Sequence, residues 1–158
     1  DSAKGAVTLR VTLRGAGGAD SYGRIDLSHT PTPPKFELSS QPEPADGSLL
    51  KFATDRDPTT AFRTNRAARK EDQITITFEK KQSASEAFVQ TGTRDGKEQL
   101  VAGNLEFSTD GTSWQNLVEI QFGDASAHLP EDTLIKALRL RVTQNQESPL
   151  VIREMGLK

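Results

Sequence analysis

Several short segments of this chain change polarity at every residue, and this alternation restricts the fold more than any other feature. The clearest are segments 7–14 (VTLRVTLR), 74–79 (ITITFE) and 138–143 (LRLRVT). Successive side chains of a strand point to opposite faces, so the pattern predicts strands with one buried face. No segment longer than about ten residues carries a helical stripe. Turn dipeptides such as Asp110-Gly111 separate the segments, and we expect further strands around 87–90, 104–108, 114–121 and 150–157.

The prolines suggest a boundary. Five of the eight lie between Thr30 and Asp46, where they remove ladder donors and favour an ordered connector or a linker. We therefore divide the chain near Pro34, into an N-terminal segment 1–34 and a β-sandwich 35–158. The first segment is either a pair of strands left from a preceding domain or an addition to the edge of the sandwich.

Composition excludes several functions. The net charge is −2, with basic and acidic residues interspersed, which favours neither nucleic acid nor an anionic membrane as a partner. No apolar run reaches the roughly 18 residues of a membrane span, and any export signal is expected to have been removed or to lie upstream. Without cysteine there is no thiol nucleophile or disulfide. His29 and His128 stand alone, so we expect no catalysis.

One segment combines residues suited to a hard cation. Asp55, Asp57 and Thr60 lie within six residues, beside the rigid Pro58. Calcium takes six to eight oxygen ligands from carboxylates, hydroxyls and carbonyls. Asp-rich turns are also common without a metal, because Asp bonds to its own backbone. The spacing alone leaves both interpretations open.

Five motifs in this order resemble the factor V/VIII C-type (discoidin) domains, and among them carbohydrate-binding modules similar to the N-terminal domain of galactose oxidase. The motifs are ATDRDPTTAFRT (53–64), DQITITFEK (72–80), LEFSTDGTSW (105–114), ALRLRVTQ (137–144) and VIREMGLK (151–158). The resemblance implies an all-β fold, a jelly-roll-like antiparallel β-sandwich of the galactose-binding-domain type.

The resemblance also implies one structural calcium ion. Its ligands would be the side chains of Asp55, Thr60 and Glu154 and the carbonyls of Phe52, Asp57, Thr60 and Arg153. Strand parity puts Glu154 on the same face as Leu150 and Ile152, so we expect it to point inward, where a carboxylate needs a partner. The alternative is that Asp55 caps a turn and that Glu154 pairs with Arg153 or Lys51.

Two positions depart from the family pattern. Arg56 stands where the motif has glycine, which fits only if the backbone there does not need a positive φ. Phe62 replaces a tryptophan and can still fill the core beneath the loop.

In sugar-binding relatives the ligand lies on loops at one end of the sandwich, which correspond here to 63–71, 92–99 and 144–148. Planar amides and guanidinium groups suit sugar hydroxyls. The basic cluster Arg63, Arg66, Arg69 and Lys70 would favour an acidic glycan. The three loops contain no aromatic residue, and we expect Trp114 in the core. The candidate ligand-binding residues are Arg63, Asn65, Arg66, Arg94, Lys97 and Asn145.

These features predict a non-catalytic carbohydrate-binding module of a secreted, periplasmic or cell-surface bacterial protein. We expect a monomer that binds glycan weakly and contacts neighbouring domains of its parent, such as a glycoside hydrolase. The alternative is a structural or protein-interaction sandwich that packs against a catalytic domain without binding sugar. An anionic-lipid binder is a more distant option, because the loops lack apolar tips.

Overall fold

The structure is a computed structural model that describes residues 10–14, 20–24 and 33–158. The chain forms two compact units, 1–33 and 34–158. In the first unit, β1 (Arg10–Arg14) and β2 (Asp20–Arg24) pair antiparallel, with Thr12 opposite Tyr22. This confirms the second half of the strand predicted at 7–14. Residues 7–9 and His29 lie outside the described residues.

The second unit is a sandwich of two antiparallel sheets. The strands of this unit are β3 (Phe36–Ser40), β4 (Phe62–Ala67), β5 (Gln73–Ser83), β6 (Glu86–Thr91), β7 (Ala102–Ser108), β8 (Gln115–Gln121), β9 (Ala125–His128), β10 (Leu134–Val142) and β11 (Pro149–Leu157); a 3-10 helix, Leu50–Ala53, precedes β4. The five-stranded sheet has the order β3-β5-β10-β7-β8. The four-stranded sheet has the order β4-β11-β6-β9.

The alternating segments 74–79 and 138–143 bury the faces that the sequence predicts. Ile74 and Ile76 of β5 pair with Leu140 and Leu138 of β10, and all four are buried. From the other sheet, Phe62 is completely buried and joins the same core. The prediction of an all-β antiparallel sandwich is confirmed. Among the described residues, no helix has the length and apolar character to cross a bilayer.

Three strands were not expected. β3 lies in the proline-rich stretch, but as an edge strand it pairs only with β5, so its proline neighbours interrupt no ladder. β4 occupies most of the segment 63–71 assigned to a loop. β9 is short and pairs with β6 at the opposite edge.

Trp114 is not in the core, contrary to expectation. It is half-buried before β8, and the guanidinium of Arg139 stacks 4.0 Å from its ring centroid. Arg139 belongs to β10, on the face of the five-stranded sheet that points away from the core. A cation–π contact lets the indole cover this polar face without entering the core.

Candidate functional site

The loop between the 3-10 helix and β4 is organised by its own acidic residues. Asp55 Oδ1 accepts a hydrogen bond from the Asp57 amide at 3.0 Å, and Thr60 Oγ1 lies 3.0 Å from both oxygens of the same carboxylate. Thr60 Oγ1 also lies 3.1 Å from the Asp57 carbonyl oxygen. The carboxylate of Asp55, the hydroxyl of Thr60 and the carbonyl of Asp57 therefore lie close together.

The Asp57 side chain has a different role. Its Oδ1 accepts hydrogen bonds from the amide of Thr59 at 2.8 Å and from the Thr59 hydroxyl at 2.6 Å. The Thr59 hydroxyl is the main cause of the lowered pKa of Asp57. Asp57 therefore caps its own turn with its side chain, and its carbonyl oxygen faces Thr60.

Glu154 of β11 contacts this loop, but its side chain does not point inward as the alternation of the strand predicts. The register of β11 against β6 shifts between Ile152 and Glu154, and Glu154 then lies opposite the exposed Gln90. Met155 is buried instead. A β-bulge adds one residue to a strand and re-aims the side chains that follow. The bulge therefore turns the half-buried Glu154 away from the core and toward the loop.

The surroundings of Glu154 contain another acid. Its Oε2 accepts a hydrogen bond from the Arg56 amide at 2.9 Å. Burial raises the pKa of Glu154, and the charge of Asp55 raises it further, against the lowering effect of Arg56. The alternative pairing of Glu154 with Arg153 or Lys51 does not occur: among the ion pairs of the described residues, Arg153 pairs with Asp124 at 2.7 Å.

Arg56 has a φ of 59°, the left-handed conformation that glycine adopts without strain. We expected arginine to fit the glycine position of the motif only if the backbone there did not need a positive φ. The backbone does need one, so a residue with a long side chain adopts the left-handed conformation. This conformation costs about 1 kcal/mol in a residue with a Cβ atom. The strained backbone presents the Arg56 amide to Glu154.

The donor set at this loop consists of oxygen atoms, as a hard cation requires. Within the described residues no group of three or more acidic or histidine side chains surrounds a common point. A cation would thus need Asp55, Glu154, the Thr60 hydroxyl and backbone carbonyls together. Phe52 lies in the 3-10 helix and Arg153 at the bulge, which puts both carbonyls on segments that flank the loop.

A pocket of about 280 Å³ opens beside the loop. It is lined by Arg56, Pro58, Gln90, Arg94, Arg153 and Glu154. These residues come from the loop 54–61 between the 3-10 helix and β4 (the Asp55 loop), from β6 and the loop after it, and from the bulge of β11. The pocket therefore lies on the outer side of the four-stranded sheet, and its polar lining consists of three arginines, one glutamine and one glutamate.

The wall of the pocket at Arg153 is fixed by a polar network. Asp124 accepts hydrogen bonds from Arg153 at 2.9 and 2.7 Å and from the Thr91 amide at 2.7 Å. The buried Thr91 hydroxyl donates to the carbonyl of Gly123 at 2.8 Å. Arg153 Nε is buried without a hydrogen-bond partner in this part of the chain. The turn at 122–124 is thereby fastened to the pocket.

Two of the six predicted ligand-binding residues form ion pairs with carboxylates of this chain. Arg66 forms a two-pronged ion pair with the buried Asp72, with both distances at 2.7 Å. Arg63 forms a similar pair with Glu98. Both arginines lie in β4, where they bind neighbouring loops to the strand.

The other four have separate surroundings. Asn65 Nδ2 lies 3.4 Å from Glu43, Lys97 forms an exposed pair with Asp95 at 2.8 Å, and Asn145 Oδ1 accepts from the Lys70 amide at 2.8 Å. Arg94 alone lines the pocket. The six residues therefore do not form one cluster, and the pocket contains residues that the loop assignment missed.

An exposed aromatic side chain was also missed. Phe122 lies in the turn between β8 and β9 with 67% of its surface accessible and a φ of 73°. Its amide donates to the carbonyl of Val101, another exposed apolar residue, at 3.1 Å. The Gln99 amide lies beside Gly123 in the same turn. An exposed aromatic residue at positive φ is unusual and suggests a functional constraint.

No family model and no curated protein matches this sequence. Solved structures do match. CBM32-1 from a family 31 glycoside hydrolase of Clostridium perfringens has a TM-score of 0.65 at 12% identity, covering 78% of this chain and 94% of its own. The chitosan-binding module 2 of a chitosanase/glucanase from Paenibacillus sp. IK-5, in complex with chitotriose, has a TM-score of 0.63 at 15% identity, with coverages of 77% and 94%.

A third structure is the CBM32-5 module of the GH89 protein from Clostridium perfringens, in complex with GalNAc-β-1,3-galactose. Its TM-score is 0.60 at 17% identity, with 76% of this chain and 92% of the module covered. At such identities the similarity concerns the fold. The sandwich formed by this chain therefore has the discoidin, galactose-binding-like fold of the carbohydrate-binding modules that it resembles.

Proposed function

We propose that this chain is a non-catalytic carbohydrate-binding module of an exported, glycan-active bacterial protein. The observation that carries the proposal is the polar pocket between the Asp55 loop, β6 and β11. Three solved neighbours of the same fold are carbohydrate-binding or chitosan-binding modules, and two of them were solved with a saccharide. A parent protein with a glycoside hydrolase domain would use such a module to stay near its substrate.

The pocket offers the donors that sugar hydroxyls need. Arg94 and Gln90 are exposed at its edge, and their planar groups can each serve two neighbouring hydroxyls. Pro58 adds an apolar contact. A pocket this open and polar predicts weak binding, because the ligand stays largely solvated.

Phe122 supplies the aromatic surface that the three expected loops lack. It is fastened to the pocket wall through Gly123 and Asp124, which pairs with Arg153. An aromatic ring offers an apolar surface to a sugar, and the Gln99 amide, which lies beside Gly123 in the same turn, offers hydrogen-bonding groups. Phe122 therefore becomes the proposed stacking residue, with Val101 as its apolar neighbour.

The same proposal includes a structural calcium ion at the Asp55 loop. The side chains of Asp55, Thr60 and Glu154 and the carbonyls of Phe52, Asp57, Thr60 and Arg153 would hold it. Two half-paired carboxylates meet there, and a divalent cation would remove the repulsion between them. The ion would fasten the loop to the bulge of β11.

The proposal can be tested by calorimetric titration of the full chain with GalNAc, GalNAc-β-1,3-galactose and chitotriose. We expect weak binding of at least one saccharide, which Gln90→Ala and Phe122→Ala each reduce about threefold to tenfold. Gln115→Ala, an exposed glutamine of the five-stranded sheet, is the matched control. If no saccharide binds at millimolar concentration, the alternative of a structural domain that packs against a neighbour takes its place.

A further inference from the structure

Three arginines lie around the pocket, and two of them lack the carboxylate partner that most arginines of the sandwich have. Arg63, Arg66, Arg139 and Arg141 have such partners, whereas Arg69, which is exposed and does not line the pocket, has none among the described residues. Within residues 33–158, the guanidinium groups of Arg56 and Arg94 form no ion pair or hydrogen bond. Arg153 keeps an unpartnered buried Nε although it pairs with Asp124.

We infer that the pocket lined by Arg56, Arg94 and Arg153 binds sugars that carry an anionic group, a carboxylate or a sulfate. This inference rests on the proposed function and gives its ligand class. A guanidinium group presents paired donors to two oxygens of a planar carboxylate or of a sulfate. Arg56 and Arg94 line the pocket and have such donors free of protein partners, and Arg153, which pairs with Asp124, adds a third positive charge to the lining.

The backbone of Arg56 supports the inference independently. A residue with φ near 59° is strained unless it is glycine, yet the chain places a long cation there. The left-handed backbone presents the Arg56 amide to Glu154, but the exposed side chain has no packing role. Strained backbone conformations cluster at ligand sites, which favours a binding role for this side chain.

The acids near the pocket form no ion pair with Arg56 or Arg94 among the described residues. Glu154 is the carboxylate in its lining, and its Oε2 faces the Arg56 amide. Asp57 is close enough to Arg94 for the two charges to interact, but its Oδ1 is held by Thr59. Asp124 holds one terminal nitrogen of Arg153. None of them bridges Arg56 or Arg94.

The experiment is a calorimetric titration of the full chain with three galactose-based oligosaccharides of equal length: neutral, uronate and sulfated. We expect at least one anionic form to bind about tenfold more tightly than the neutral one, and added NaCl to reduce this difference. Arg56→Gln and Arg94→Gln should each remove most of the preference. Arg69→Gln, an exposed arginine outside the pocket, controls for net charge and should leave it unchanged.

The outcomes separate the two proposals. Equal binding of neutral and anionic sugars, unaffected by Arg56→Gln and Arg94→Gln, would overturn the anionic preference and leave carbohydrate binding standing. Equal competition by inorganic polyphosphate would also overturn it, because the site would then respond to charge alone. Binding of none of the oligosaccharides would remove both. Thermal melts of each variant establish that the arginine substitutions leave the sandwich folded.

Discussion

Glu106 and Glu154 are glutamates on opposite sheets, and they differ in the charges around them. Glu106 of β7 is 4% exposed and accepts hydrogen bonds from Arg139 and Arg141 of β10. Burial alone would raise its pKa, but these hydrogen bonds outweigh burial, and the pKa is lowered. Burial and the charge of Asp55 raise the pKa of Glu154, the Arg56 amide lowers it, and the net effect is a raised pKa.

This difference separates a structural carboxylate from a candidate ligand. Glu106 is neutralised by its own sheet, so it needs nothing from outside the chain. Glu154 and Asp55 repel each other at a loop rich in oxygen donors. A site that the chain leaves incompletely neutralised is where an external cation gains the most.

The largest effect is expected from Glu106→Ala. Removing it leaves two guanidinium groups on the sheet face without their shared partner, and breaking a buried ion pair typically costs about 3 kcal/mol or more of unfolding free energy. Urea unfolding would measure the loss. Glu119→Ala, on the exposed surface of β8, should change stability by less than about 0.5 kcal/mol. Equal losses in the two variants would contradict the structural role of Glu106.

Removal of calcium should give the next largest change in stability, and this change should depend on Glu154 and not on Glu106. At free calcium about one hundred times its dissociation constant, the ion adds about 2.7 kcal/mol to the stability. We expect a chelator to lower the melting temperature by roughly 8 °C. In Asp55→Asn and Glu154→Gln the chelator should have little effect, whereas Glu119→Gln should respond like the original chain. An identical melt with calcium and with chelator would remove the ion from the proposal.

The strands of the two sheets could largely be predicted because alternation is a local property. The apolar positions of ITITFE and LRLRVT predict which face is buried, and β5 and β10 bury that face. β4 was missed because its sequence, FRTNRA, is mostly polar, and its burial depends on neighbours far along the chain. β3 was missed because proline excludes a residue from a central ladder but not from an edge.

The surroundings of the site were harder to predict, because they depend on register. A single extra residue in β11 turns Glu154 away from the core, and parity counting assumes that no such residue exists. Arg63 and Arg66 read as free donors in the sequence, since their partners Glu98 and Asp72 approach only in the folded sandwich. Phe122 could be found only once the turn after β8 was placed beside Val101.

Arg56→Gly should sharpen the comparison with a smaller effect of the opposite sign. Glycine adopts the required φ without strain and keeps the amide that donates to Glu154. The relieved strain of about 1 kcal/mol is partly offset by the greater freedom of the unfolded glycine chain, about 0.4–1 kcal/mol, so we expect a net gain of about 0.5 kcal/mol or less. Arg56→Ala keeps the strain and removes the charge, so its stability should stay close to that of the original chain. A glycine variant that is less stable than the alanine variant by about 0.4–1 kcal/mol in urea unfolding would show that the backbone is unstrained.

The smallest expected effect concerns pH: the charges of Glu106 and Glu154 contribute to stability with opposite signs, which can be measured in the presence of a chelator. The lowered pKa of Glu106 stabilises the fold above the ordinary glutamate pKa, near 4.3, and this contribution disappears as the pH falls through the lowered value. The raised pKa of Glu154 destabilises the fold above the raised value, and protonation relieves this as the pH falls. From pH 7 to 3, the advantage of the original chain over Glu106→Gln should therefore shrink, and so should the advantage of Glu154→Gln over the original chain. If the original chain is the more stable member of both pairs at pH 7, Glu154 is neutralised within the fold and needs no cation.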